Sequence, residues 1–463
     1  MPRGGRRVRH SDRGRRRGDR ESGGRAVSTA DLNRMLADLR ELVAIRSVSA
    51  DPSRAGDVTA SAEKVAALFR GVGVETQVVS AGGAPAVIGR REGPAGAPTV
   101  LLYAHHDVQP VADGWRTDPF ALTIDGTRAY GRGAADDKAG VAAHLEALRL
   151  LGDDLPVSVA VLVVGEEEVA SPTLGAIIDA HSQTLRADVV LAPDAVNAGV
   201  DAPAITTSLR GILNVRIGVR TAARAVHSGI YGGVLPDALG VLVHLLDSLT
   251  DDAGQAAIPG IPADPDPTDP SAAMSASEVT EAAGAVSGLR VASDEIAADL
   301  WTRPSVTVLG IDAPPTDAAS MVLTPQARAV VSLRLPPSVS PQEAEAALRA
   351  HLESQNPAGA EVSVEVLLGG RGWSDSGTNP AGDLVLSALS GAYGRDAVTL
   401  GVGGGIPFIQ TLTERFPGIE PVITAVQDPS SAAHAADESV SLRTLTAAAE
   451  AEAEMLRRIG AVK

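Results

Sequence analysis

VSVAVLVVGEEE, residues 157–168, carries a nearly unbroken apolar run directly into three consecutive glutamates. A short apolar run without alternation suits a strand buried on both faces, and such strands belong to parallel sheets covered by helices on either side. Three adjacent carboxylates repel one another unless a cation collects them or one of them keeps a proton. In open α/β sheets, ligands bind beyond the carboxyl ends of the strands, which is where these glutamates fall.

Two further runs have the same form: PTVLLYAHHD (98–107) and ADVVLAPD (187–194). DKAGVAAHLEALRLLG (137–152) separates the first two strands with helical spacing, and ADLNRMLADLRELVAI (30–45) repeats apolar residues three and four apart. Beyond residue 208 the pattern changes. LRGILNVRIGVRT (209–221) and ARAVVSLRLPP (327–337) alternate polar and apolar residues, as a sheet with one wet face does, and SPQEAEAALRAHLESQ (340–355) supplies a covering helix. IPGIPADPDPTDP (258–270) is too rich in proline to form an element. The buried style returns in DAVTLGV (396–402) and IEPVITAV (419–426), followed by an Ala-rich helix from residue 444. The expected architecture is α/β: a catalytic domain with a mostly parallel sheet flanked by helices, formed by residues 28–207 and 369–463. A smaller α/β domain, residues 208–368, interrupts it.

The 463 residues suffice for two or three domains, and the 44% hydrophobic content for a large core. The net charge is −17, yet the first 25 residues hold ten Arg against Asp12, Asp19 and Glu21, or +7, so the remainder carries −24. A body that acidic is a poor partner for nucleic acid or an anionic membrane. The Arg-rich segment 1–27 lacks an apolar core and is expected to be a disordered tail rather than a signal peptide. The absence of cysteine excludes disulfides, a thiolate nucleophile and thiolate metal ligands. A cytoplasmic protein without a membrane span is expected.

Every strand expected in the first domain ends in a possible metal ligand: His105, His106 and Asp107; Glu166, Glu167 and Glu168; Asp194. Asp136 and Asp137 in YGRGAADDKAG and His434 in SSAAHAADESV stand beside them. Imidazole and carboxylate without thiolate suit Zn²⁺, with Mn²⁺ or Co²⁺ as alternatives. The set is too large for one tetrahedral ion, so a dinuclear centre with a bridging carboxylate fits better. Paired ions of this kind serve hydrolysis.

HHDVQP (105–110), YGRGAADDKAG (130–140), GEEEVAS (165–171), SLRG (208–211), VHSGIYGG (226–233), SLRLPP (332–337) and AHAADES (433–439) follow one another in this order. Over residues 30–460 the chain thereby resembles the dinuclear metallopeptidases that include carnosine dipeptidase and bacterial dipeptidases, and more distantly succinyl-diaminopimelate desuccinylase and aminoacylase. The resemblance implies two divalent ions, one held by His105, Asp136 and Asp194 and the other by Asp136, Glu168 and His434, with Asp136 bridging. It implies that Asp107 orients His105 and that Glu167 is the general base. Glu167 would take a proton from a metal-bridging water and pass it to the leaving amine. Glu166 would face away, and a cis peptide would join Asp136 to Asp137. The inserted domain would be a lid and dimerisation surface. His227 would reach the neighbouring subunit's site in a homodimer and stabilise the oxyanion, and Arg334 would bind the carboxylate of a small peptide.

Within that family aspartate at the position of Asp194 favours dipeptidases, as do HHDVQP and HSGIYGG, so a dipeptidase is expected. The alternatives are an N-acyl amino acid amidohydrolase and a peptide-binding protein without turnover. The resemblance breaks in GVGGGIPF (401–408): dipeptidases of this type usually carry an arginine about four residues before the Ile-Pro pair, and the corresponding place, near Gly401, has no basic residue.

Overall fold

The structure, a computed structural model, describes residues 29–267, 272–356, 358–375, 380–404 and 407–461. The Arg-rich tail expected to be disordered lies outside the described residues. The main sheet has the strand order Glu75–Val79, Ala86–Arg91, Ser158–Val164, Thr99–His105, Val189–Val196, Glu420–Gln427, Ala204–Leu209, Trp373–Ser374, with Val398–Val402 pairing alongside Ala204–Leu209. The strands from Ser158–Val164 to Glu420–Gln427 are mutually parallel, whereas the pairs at the Glu75–Val79 edge are antiparallel.

The unbroken apolar runs have the physical cause read from the sequence: successive side chains enter two different cores. Val159, Val161 and Val163, with Val100, Leu102 and Ala104, pack against helices Ala55–Arg70, Lys138–Leu151 and Leu442–Ala461. Ala160, Leu162 and Val164, with Leu101 and Tyr103, pack on the other face against Leu174–Ala180 and Pro407–Arg415. All seven residues of Ser158–Val164 are buried.

The second sheet is antiparallel throughout, in the order Ser305–Asp312, Gln326–Leu335, Gly211–Arg220, Glu361–Gly370. Burial alternates strictly along the first nine residues of Gly211–Arg220, as its polar and apolar residues do. Leu213, Val215, Ile217 and Val219 share a core with helices Ala238–Asp247 and Pro341–Ser354. Ser340 and Glu343 close the latter's start reciprocally: the Glu343 N–H donates to Ser340 Oγ (3.2 Å), and the Ser340 N–H to Glu343 Oε2 (2.9 Å). The chain passes from the main sheet to this one at Arg210 and returns between Gly370 and Trp373. No helix among the described residues is long and apolar enough to cross a membrane.

Candidate metal centre

The parallel register sets His105 opposite Val164, so strand Thr99–His105 and the glutamates after Ser158–Val164 finish at the same edge of the sheet. Asp194 lies near the end of the adjacent strand, Asp136 stands two residues before helix Lys138–Leu151, and His434 comes from the loop after Glu420–Gln427. That loop is tightly wound, with Ala432, His434 and Asp437 at φ of 52°, 63° and 60°.

The Asp136 carboxylate lies between the two imidazoles. Its Oδ1 is 3.0 Å from His105 Nε2 and its Oδ2 is 3.0 Å from His434 Nε2. On the His105 side Asp194 Oδ1 stands 3.9 Å from the same Nε2; on the His434 side Glu168 Oε2 stands 3.2 Å away. The structure thus brings His105, Asp136, Glu168, Asp194 and His434 together from five chain segments. Ligand atoms of His105, Asp136 and Glu168 fall within 4.8 Å of one another, as do those of His105, Asp137 and Asp194. Asp137 therefore also faces the site, and the bond joining it to Asp136 is cis.

Each glutamate of the opening run has a different environment. Glu166 is turned into the protein, where its carboxylate accepts hydrogen bonds from the Thr173 N–H and hydroxyl (both 2.6 Å) and the Ala84 N–H (3.2 Å). Glu168 accepts from Gln109 Nε2 at 2.7 Å and faces His434. Glu167 lies beside them in the cleft wall. Asp107 holds this turn: its two oxygens accept the Glu167 and Glu168 N–H groups, each at 3.1 Å, and the Ser49 hydroxyl at 2.6 Å. It meets His105 Nδ1 through its backbone carbonyl at 3.0 Å and, less closely, through Oδ1 at 3.4 Å. His106 faces the opposite way, its Nε2 3.0 Å from the Pro85 carbonyl, and burial lowers its pKa to about 4.

Sequence reasoning missed Glu438, which organises the loop bearing Asp136. This buried carboxylate accepts the N–H groups of Gly133, Ala135 and Asp136 at 3.0, 2.9 and 3.0 Å, and pairs with Arg132 at 2.7 Å. Both members lie inside quoted motifs, YGRGAADDKAG and AHAADES, and their place in those motifs was the only signal the sequence offered. Gln109, inside HHDVQP, was also missed.

Electrostatics follow from crowding. Burial, reinforced by Asp136, Asp107 and Glu168 against the opposing charge of His105, raises Glu167 to about 7. Burial likewise pushes Asp194 well above the usual carboxylate range. Against burial, the hydrogen bonds of His105 and His434 hold Asp136 far below that range, and the carboxylates of Asp136 and Glu168, accepting from the His434 ring, raise it to about 10. Five carboxylates, Asp136, Asp137, Glu167, Glu168 and Asp194, surround two imidazoles. This nitrogen and oxygen donor set, with its excess of negative charge, fits divalent cations.

Arg334 lines a cleft of about 410 Å³ together with Glu167, Glu168 and His434. His227 is placed differently: it is exposed on the two-residue strand Val226–His227, accepts the Gly229 N–H at 3.0 Å, and is not among the residues lining that cleft.

Residues 101–458 match the family described as Peptidase family M20/M25/M40. The cysteinylglycine-S-conjugate dipeptidase of Corynebacterium striatum is 34% identical over 93% of this chain and 97% of its own length. The Cys-Gly metallodipeptidase dug1 of Schizosaccharomyces pombe is 28% identical over 81% and 85%. Human carnosine dipeptidase 1 shares the fold at a TM-score of 0.77, covering 93% of this chain and 97% of that one at 24% identity. The extent of these matches and the ordered motifs at one sheet edge make this chain a member of the M20/M25/M40 peptidase family.

Proposed function

We propose that the protein is a metallodipeptidase that cleaves the amide bond of free dipeptides at a dinuclear centre. The observation that carries this reading is the Asp136 carboxylate, with one oxygen on His105 and the other on His434. His105, Asp136 and Asp194 would hold one ion and Asp136, Glu168 and His434 the other, Zn²⁺ first and Mn²⁺ or Co²⁺ as alternatives. A pair of divalent ions supplies a more acidic water and a polarised scissile carbonyl.

The chain's own residues do the rest. Glu167 takes the proton from the attacking water and delivers it to the departing amine nitrogen. Asp107 fixes both His105 and the turn that carries Glu167 and Glu168. Arg334 receives the substrate carboxylate from the cleft wall. His227 donates to the developing oxyanion of a second subunit. Its place outside its own chain's cleft supports that reading. So does the apolar surface around it, where Ile230, Val234 and Met321 are 70%, 81% and 79% exposed. The relatives named as Cys-Gly dipeptidases support free dipeptides as substrates over N-acyl amino acids.

The test is mass spectrometry of products from metal-reconstituted enzyme offered cysteinylglycine and its S-conjugates, β-alanyl-histidine, other dipeptides and N-acyl amino acids. Selective loss of dipeptides is expected. Selective deacylation would replace this reading with the amidohydrolase one, and binding without turnover would replace it with a peptide-binding protein.

A further inference from the structure

The two imidazoles of the centre are held in unlike ways. His105 ends a buried strand and is 1% exposed, with its Nδ1 on the Asp107 carbonyl at 3.0 Å. The His434 side chain is 57% exposed and comes from the loop in which Ala432, His434 and Asp437 all have positive φ. The sheet therefore fixes the first imidazole, and contacts outside the sheet have to fix the second.

Residues 109–116 supply those contacts. The segment forms no helix or strand, yet it meets both Glu168 and the His434 loop. Gln109 Nε2 donates to Glu168 Oε2 at 2.7 Å, and at the other end the Arg116 N–H and Nε donate to the two oxygens of Asp437 at 2.9 and 2.7 Å. Between these ends the segment seats Arg132, which is buried. The Pro110 carbonyl accepts from Arg132 Nη2 at 3.3 Å, and the centre of the Trp115 ring lies 5.5 Å from the guanidinium carbon. Nη2 also donates at 3.1 Å to the carbonyl of Ala435, the neighbour of His434. Nη1 donates at 2.7 Å to Glu438, the carboxylate that gathers the N–H groups of Gly133, Ala135 and Asp136. One guanidinium thus joins the loop of the bridging carboxylate, the loop of His434 and the segment that engages Glu168. None of these hydrogen bonds involves His105 or Asp194.

We infer that Arg132, seated by residues 109–116, is a positioning residue for the ion between Asp136, Glu168 and His434, so that its removal weakens that ion and spares the one at His105 and Asp194. This rests on the dinuclear reading. A planar guanidinium with fixed donors sets the distance between the loops it joins. An exposed imidazole has little packing to keep it facing its carboxylate partners once its loop relaxes, and ligands that must be ordered on binding lose affinity by the entropy of that ordering.

The experiment titrates metal-free protein with Co²⁺ in the absence of substrate, following heat and visible absorption, for the unsubstituted chain, Arg132→Met, Arg132→Lys and Arg116→Ala. His434→Ala, which lacks a ligand of the ion in question, supplies the reference spectrum of the ion that remains. The unsubstituted protein is expected to take up two ions. In Arg132→Met one ion is expected to bind with unchanged affinity and with the His434→Ala spectrum, and the other about 10- to 100-fold more weakly. Arg132→Lys is expected to recover part of that loss. Arg132→Met leaves the Glu438 carboxylate buried without its counter-charge. Arg116→Ala therefore tests the same segment at an exposed pair, and there the second ion is expected to bind about 2- to 5-fold more weakly. Both ions weakened alike, or neither, in the variants that keep the far-ultraviolet circular dichroism of the unsubstituted protein would make these contacts structural only and overturn the inference. An unsubstituted protein that takes up one ion or none would remove the dinuclear reading and this inference with it.

Discussion

Three identical residues in a row do three different things because each meets different neighbours. Glu166 is saturated by Thr173 and Ala84, and Glu168 is engaged by Gln109 and His434. Glu167, its backbone fixed by Asp107, has no hydrogen-bond donor to its carboxylate among the described residues and is free to carry a proton. In Glu167→Gln, kcat is expected to fall about 10²- to 10⁴-fold while the metal content by elemental analysis stays at the unsubstituted level. A variant that loses its metal together with its activity would make Glu167 a ligand instead. His105, Asp136, Glu168, Asp194 and His434 were legible in the sequence because strand ends and ordered motifs announce them, and the outward turn of His106 follows from the alternation along a strand. Glu438 and Gln109 were not singled out, because nothing periodic marks a residue whose work is to hold a loop.

Helices Lys138–Leu151 and Leu442–Ala461 lie behind the sheet, and a buried ionic contact joins them. His144 Nδ1 is 2.8 Å from Glu452 Oε1 and its Nε2 is 2.9 Å from the Tyr103 carbonyl. Both partners are acceptors, so the ring donates from both nitrogens and is cationic. Burial works against this, but the charge and hydrogen bond of Glu452 prevail and raise His144 above its ordinary value. Glu452→Ala is expected to cost about 3–5 kcal/mol in urea unfolding, since it leaves a buried imidazolium with the Tyr103 carbonyl but without its counter-charge. A raised folded pKa means the charge-dependent stabilisation is complete below about pH 6.5 and is lost as the pH rises through the raised value, so the difference from the unsubstituted protein should shrink in alkaline buffer. A pH-independent difference would make the contact one of packing alone. The partner of His144 lies 308 residues away, and nothing in the sequence joins the two. Helices Lys138–Leu151 and Leu442–Ala461 and the central strands were legible, whereas helices Ala55–Arg70 and Pro380–Tyr393 were not named. Strands Ser305–Asp312 and Glu361–Gly370 were not recognised, because they are the outer strands of the second sheet and much of their length is exposed, which weakens the apolar pattern.

At the scale of the molecule, a separate two-stranded ribbon of Val226–His227 and Val322–Leu323 carries His227 and its apolar surroundings, and His227 does not line its own chain's cleft. If a second copy covers that surface, Val234→Asp should convert dimer to monomer in light scattering, and kcat should fall about 10²- to 10³-fold with the loss of the oxyanion donor. A fully active monomer would remove His227 from the reaction. The interruption of one α/β unit by another was visible in the change from unbroken to alternating strands; the placing of the later strands was not, because sheet order depends on contacts far apart in sequence. Strand Glu420–Gln427 enters between Val189–Val196 and Ala204–Leu209, segments made long before it. At about 5–20 residues per second, a ribosome needs roughly 10–40 s to go from one to the other. Through that interval the nascent chain lacks both strand Glu420–Gln427 and His434, so the five candidate ligands cannot come together until the segment bearing His434 has been made.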